Sequence, residues 1–99
     1  MSEPSDAIQH SEVGHRGAFY IERDGTRTAE LTYSRAKPTL VIIDHTEVSR
    51  ELSGHGLGRQ LLDAAVAWAR RTGTKVMATC PFALSQFSKD PSIRDVLLG

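Results

Sequence analysis

Apolar residues recur with two different periods along this chain, and the change of period divides it into a sheet-forming part and a helix-forming part. From Gly17 to Arg23 the pattern alternates, with Phe19 and Ile21 on one side, and from Thr26 to Tyr33 it alternates again, with Ala29, Leu31 and Tyr33 on one face. A period of two is the mark of half-buried strands. Asp24-Gly25 separates the two runs and is the residue pair a tight hairpin favours. The polar stretch Ser34-Arg35-Ala36-Lys37-Pro38 predicts a further turn. Leu40 to Val48 opens with a continuous apolar run and is rich in Val, Ile and Thr, which predicts a central strand covered on both faces.

Beyond Gly56 the period lengthens. Leu57, Leu61, Ala65, Trp68 and Ala69 fall at steps of three and four, with Leu62 and Val66 widening the stripe, so an amphipathic helix is expected up to Gly73. Lys75 to Cys80 reads as a short strand ended by Pro81, and two short helices are expected over Ala83 to Ser88 and Ser92 to Leu98, divided by Asp90-Pro91. A strand, a helix and a strand in succession imply a right-handed crossover and a parallel pair. The fold class is therefore α/β (α+β): a mixed sheet of about four strands, three antiparallel and one parallel. Residues 1–12 are polar and contain Pro4, which reads as a disordered tail before a single domain over residues 13–99.

Composition narrows the function classes. Lys plus Arg and Asp plus Glu both number 12, so the basic field of a nucleic-acid binder is lacking. No apolar run approaches the roughly 20 residues that cross a bilayer, and no membrane partner is expected. The N-terminus lacks the pattern of a signal peptide, which makes the cytoplasm the default expectation. Cys80 is the single cysteine, so no internal disulfide forms. His10, His15 and His55 have no metal-ligand spacing to it and read as solvated, and no metal is expected.

Gly54, Gly56 and Gly58 stand between the long strand and the long helix. Alternate glycines let the backbone turn its N–H groups inward, and their missing side chains let a phosphate approach the main chain. The helix N-terminus adds about half a positive charge. Taken alone, three such glycines serve a simple turn equally well.

The neighbouring residues carry a resemblance. Val48-Ser49-Arg50-Glu51-Leu52-Ser53-Gly54-His55-Gly56-Leu57-Gly58, followed by Leu61-Leu62, resembles motif A of the GNAT acetyltransferase superfamily, including its place after an antiparallel meander. It departs at Ser53, where the family usually has Arg or Gln; recognition would then rest on main-chain amides. With His45-Thr46-Glu47-Val48 before it and Thr79-Cys80-Pro81-Phe82 after it, the chain resembles the small stand-alone YjdJ-like group of that superfamily over roughly residues 14 to 98. The resemblance implies a truncated GNAT fold that binds acetyl-CoA as cosubstrate. It implies cofactor contacts at Thr46, Val48, Ser53, Gly54, His55, Gly56, Leu57, Gly58 and Arg59, and active residues at Cys80 and His45, with Glu47 as a further candidate base.

Two roles are open to Cys80: a thiolate that carries the acetyl group, or a thiol that protonates the departing coenzyme A sulfur. Alternation along the strand places His45 with Val41, Ile43 and Glu47 unless a bulge intervenes. Ala83 to Asp90 lacks the tyrosine that many GNAT enzymes use as general acid. Arg59, Arg70 and Arg71 read as a solvated helix face, while Trp68, Phe82 and Phe87 read as core. The expected function is acetyl transfer to an unidentified amine; the alternative is an acetyl-CoA-binding sensor or subunit without efficient turnover, and the most distant is a structural domain with an incidental glycine turn.

Overall fold

Each strand of the sheet lies beside its predecessor in the chain. In the computed structural model, which describes residues 8–50 and 56–98, the strands are β1 (Gln9–Val13), β2 (Arg16–Arg23), β3 (Thr26–Lys37), β4 (Leu40–Val48) and β5 (Lys75–Ala78), in spatial order β1-β2-β3-β4-β5. The first four pair antiparallel and β5 joins β4 in parallel. The parallel step is made by helix α1 (Leu57–Thr72). Helix α2 (Pro81–Lys89) and a 3-10 helix (Pro91–Val96) follow, so the second of the two expected short helices winds more tightly than an α-helix.

Local chemistry accounts for the joints. Asp24 and Gly25 both have positive φ, 54° and 77°, as the two central residues of a type I′ hairpin must. Gly73 stops α1 in the left-handed region and its N–H returns to the Ala69 carbonyl. After the 3-10 helix, Leu97 bridges Val76 and the Leu98 N–H donates to the Val76 carbonyl at 3.0 Å, which covers part of the outer edge of β5.

The core lies between one face of the sheet and α1. Ile21, Leu31, Tyr33, Ile43, Leu61 and Leu62 are almost wholly removed from solvent in it. Phe87 joins the core and Trp68 and Phe82 pack against it, as their spacing implies. Of the arginines expected to form a solvated face of α1, Arg59 and Arg70 are engaged by side chains of other elements. Arg70 donates to both Asp95 carboxylate oxygens, at 2.7 and 2.9 Å, and to the Ser92 carbonyl, and so ties the 3-10 helix to α1.

The expected tail over residues 1–12 requires correction. Gln9 to Glu12 belong to β1, which pairs with β2 from Gln9↔Tyr20 to Val13↔Arg16; Met1 to Ala7 lie outside the described residues. The strand escapes hydrophobic patterning because it is held by polar contacts. Its one large apolar side chain, Val13, is 81% exposed. His10 is not a solvated histidine: its ring stacks on Phe19, with centroids 4.1 Å apart, and its Nε2 lies 2.6 Å from the Tyr33 hydroxyl. That hydroxyl donates to Glu12 Oε1 at 3.0 Å, so its oxygen accepts from the Nε2–H tautomer of the neutral His10 ring. Glu12 in turn accepts from Arg35 Nε at 2.6 Å and Nη2 at 2.9 Å.

Burial holds the His10 pKa below its ordinary value, and Glu12 opposes that shift. A folded pKa below the unfolded one means that the unfolded chain binds more protons, so stability falls as pH drops through the ordinary histidine range. The thermal midpoint is therefore expected to decline between about pH 7.5 and about pH 5.5. Thermal scans of a His10→Gln chain should lack that part of the decline; an equal decline in both chains would refute the assignment.

Candidate functional site

Among the described residues, no side chain caps the start of helix α1. Its N-cap, Gly56, lies in the left-handed region at φ 74°, and the first turn carries no acid. The Gln60 N–H donates to the Gly56 carbonyl at 3.1 Å, which leaves the N–H groups of Leu57, Gly58 and Arg59 as the leading donors of the helix. A turn of this kind attracts anions. Ser53, Gly54 and His55, expected to complete the loop, lie outside the described residues.

Gly58 has a second use. A Cβ placed there would lie 3.2 Å from Cζ of Phe82, so the missing side chain lets α2 seat its ring on the first turn of α1. Arg59 fastens the same junction. Its Nε donates to Asp63 at 2.8 Å, Nη1 to Gln86 Oε1 at 3.0 Å, and Nη2 to Asp90. The guanidinium thus joins α1 to α2, and only the main-chain amide of Arg59 remains for an anion. Hydrogen bonds from Ser92 and then Arg59 hold the Asp90 carboxyl down at about 2.

Strand β4 loses its parallel partner halfway along. The β4–β5 ladder runs from Leu40↔Lys75 to Ile43↔Ala78. The N–H groups of Thr79 and Cys80 then both donate to the Ile43 carbonyl, at 2.9 and 3.3 Å. There β5 stops, while β4 continues to Val48 alongside β3. The strands therefore fork at Ile43, and the long prong of the fork leads toward the glycine turn. Cys80 stands at the base of the fork as N-cap of α2, with its carbonyl accepting from the Leu84 N–H at 3.0 Å.

A bulge decides which side chains of the long prong reach Cys80. The β3–β4 register passes from Tyr33↔Ile43 to Thr32↔His45, which leaves Asp44 as an extra residue on β4. Its carboxylate accepts from Thr32 Oγ1 at 2.6 Å, Ser34 Oγ at 2.9 Å and Arg16 Nη1 at 2.9 Å. Burial pushes the Asp44 pKa up, but these hydrogen bonds and the arginine outweigh it and hold the carboxyl below its ordinary range.

Beyond the bulge the alternation is inverted. Val41 and Ile43 face the core, yet so do Thr46 and Val48, which pair with the buried Leu31 and Ala29. His45 and Glu47 share a face, but the opposite one from Val41 and Ile43. The expectation that His45 lies with the core-facing residues is corrected for this reason. His45 is well exposed, with Nε2 3.4 Å from Glu47 Oε1.

Cys80 is only 3% exposed, and its sulfur meets Thr46 Oγ1 at 3.3 Å. The residues predicted from sequence are thus divided. Cys80, Thr46 and Val48 gather on the core side of the fork, whereas His45 and Glu47 lie on the open face. The anchoring set of Asp44, Thr32, Ser34 and Arg16 was not anticipated. One signal for it stands in the sequence: apolar positions on β4 change parity between Ile43 and Val48. Among the described residues, no group of three or more His, Cys, Asp or Glu is disposed to hold a metal.

Comparison with known proteins gives this geometry a context. The family model of GCN5-related N-acetyl-transferases matches residues 18–96. A solution structure from Staphylococcus aureus, described as GCN5-like, is 37% identical over 98% of this chain and 92% of that one, with a TM-score of 0.74. Tetrahymena GCN5 superposes with a TM-score of 0.63 at 15% identity, over 76% of this chain and 49% of its own. A ribosomal-protein-alanine N-acetyltransferase from Brucella melitensis biovar Abortus 2308 gives 0.57 at 19%, over 68% and 55%. The last two likenesses concern the fold, and this chain spans about half of each. No curated protein matches the sequence.

Proposed function

Because the chain belongs to the GCN5-related N-acetyltransferase family, we propose that it binds acetyl-CoA across the β4–β5 fork and transfers the acetyl group to an amine. One observation carries this reading: the fork at Ile43 leads along β4 toward an α1 N-terminus that, among the described residues, has neither side-chain cap nor acid. The leading amides of Leu57, Gly58 and Arg59 suit the coenzyme's pyrophosphate, with Ser53, Gly54 and His55 proposed to complete the loop. The unpaired length of β4 through Thr46 and Val48 suits the amide groups of a pantetheine arm. No side-chain clamp is required of Arg59, whose guanidinium is held by α2.

In this reading Cys80 serves as an acid in direct transfer. The amine nitrogen attacks the thioester carbonyl and the carbon–sulfur bond breaks, leaving its electron pair on the coenzyme A sulfur. That sulfur takes the Cys80 proton, and the proton lost from the nitrogen restores the thiol. Glu47 and His45, on the open face, are the proposed groups for taking the first proton from an acceptor that arrives as an ammonium, which leaves the neutral amine that attacks.

The separation of His45 and Glu47 from Cys80 also favours a second reading, an acetyl-CoA-binding sensor or subunit with little turnover. Titration with coenzyme A followed by amide NMR should move the Gly56, Leu57, Gly58 and Arg59 resonances; unmoved resonances at about millimolar ligand would exclude both readings. Acetyl transfer across a panel of amines separates the two, and Cys80→Ala should then retain binding and lose most turnover. Full turnover in that variant would remove Cys80 from the chemistry.

A further inference from the structure

We infer that Thr46 is a positioning residue for the acetyl-transfer step, fixing the Cys80 sulfur at the base of the fork while His45 plays no part in holding it. The inference rests on the proposed role of Cys80 as the acid of the reaction.

Three features place the sulfur. The Cys80 N–H is bound to the Ile43 carbonyl, its carbonyl receives the Leu84 N–H, and its sulfur lies 3.3 Å from Thr46 Oγ1. The backbone is thus fixed at both ends of the residue, and within its core packing the sulfur has the Thr46 hydroxyl as a polar contact. Thr46 reaches the sulfur only because of the Asp44 bulge. Without that extra residue, strict alternation would turn His45 toward the core side and Thr46 away from it. The bulge is itself anchored on the open face by Thr32, Ser34 and Arg16.

The chemistry suits a hydroxyl better than an imidazole. The resting thiol donates its proton to Thr46 Oγ1. Once that proton has passed to the coenzyme A sulfur, Cys80 is left as a thiolate, and the Thr46 hydroxyl rotates to donate to it. A hydroxyl serves both states because it accepts and donates from one atom. A hydrogen bond to an ion is roughly twice as strong as one between neutral groups, so the contact strengthens as the proton leaves. It therefore favours the later part of the step over the ground state.

Thr46→Val preserves shape and removes the hydroxyl; Thr46→Ser retains it. Thr46→Val is expected to lower kcat about tenfold while the main-chain groups of residue 46 still bind coenzyme A, and Thr46→Ser to keep kcat within about twofold. Since Cys80 is the single cysteine, its S–H infrared stretch is a single band. That band should move toward the frequency of a free thiol in Thr46→Val and stay in place in Thr46→Ser. Wild-type kcat in Thr46→Val overturns this inference alone, as does a loss in Thr46→Ser equal to that in Thr46→Val. A wild-type chain that binds coenzyme A and acetylates no amine overturns the role of Cys80, and this inference with it.

Discussion

A Gly17→Val chain is expected to be destabilised by about 3 kcal/mol, the upper part of the range for overfilling a packed core. Gly17 pairs directly with Tyr33 across β2 and β3. A Cβ at residue 17 would lie 2.8 Å from Cε1 of the tyrosine ring and closer still to Cζ and the hydroxyl oxygen. The ring has nowhere to go. It is buried beside His10, Phe19 and Trp68, and its hydroxyl is fixed by His10 and Glu12. Either the β2 backbone moves away from β3 or Tyr33 leaves its site and releases β1. Urea denaturation measures the loss directly. Gly17→Ala should show a smaller loss of the same kind, because it adds one carbon where valine adds three. A Gly17→Val chain with wild-type stability would mean that the ring yields freely, contrary to its packing.

Leu61→Ala should remove a comparable amount, about 3 kcal/mol within the usual 2–5 for a buried leucine. Leu61 has no exposed surface and lies one turn inside α1 from the glycine turn. The surrounding Leu57, Leu62 and Ala65 belong to the same helix, and β3 and β4 lie beneath it, so the cavity cannot close without moving α1 over the sheet. Domains are stable by only about 5–15 kcal/mol, so this single change takes a large fraction of the total. The displacement also reaches the leading amides of Leu57, Gly58 and Arg59. Coenzyme A affinity should therefore fall together with the urea midpoint. Affinity retained in a folded but destabilised Leu61→Ala chain would show that the turn is held from elsewhere, with the Phe82 and Arg59 contacts as the remaining candidates.

The elements were legible in the sequence wherever burial was apolar. Ala29, Leu31 and Tyr33 alternate because β3 is covered on one face, and the Leu57–Ala69 stripe repeats because α1 covers it. The Asp24-Gly25 hairpin was legible from backbone geometry alone. Strand β1 was not, because polar bonds from His10 and Glu12 replace apolar burial in attaching it, and patterning measures only the latter. The side chains of the site were legible by identity rather than by direction. Cys80 could be singled out from its neighbours, but one bulged residue, Asp44, reverses which side of β4 faces it. Partners of that bulge come from β2 and β3, distant in the chain, and no local pattern joins them. Arg59 illustrates the same limit: its place in the first turn suggests a phosphate ligand, whereas Gln86 and Asp90, a full crossover away, claim its side chain.

The spatial order of the strands has a kinetic meaning. Because β1 to β4 follow one another without a crossing, each antiparallel pair closes only a short loop, and the entropy lost in forming it is small. The remaining pair, β4 with β5, must wait for the intervening helix to form and fold back over the sheet. Low contact order speeds the first process and the crossover delays the second. A meander that assembles early, followed by a slower docking of α1 and β5, is the folding order this topology favours. The fork, whose two prongs belong to those two stages, would then be among the last parts of the molecule to take shape.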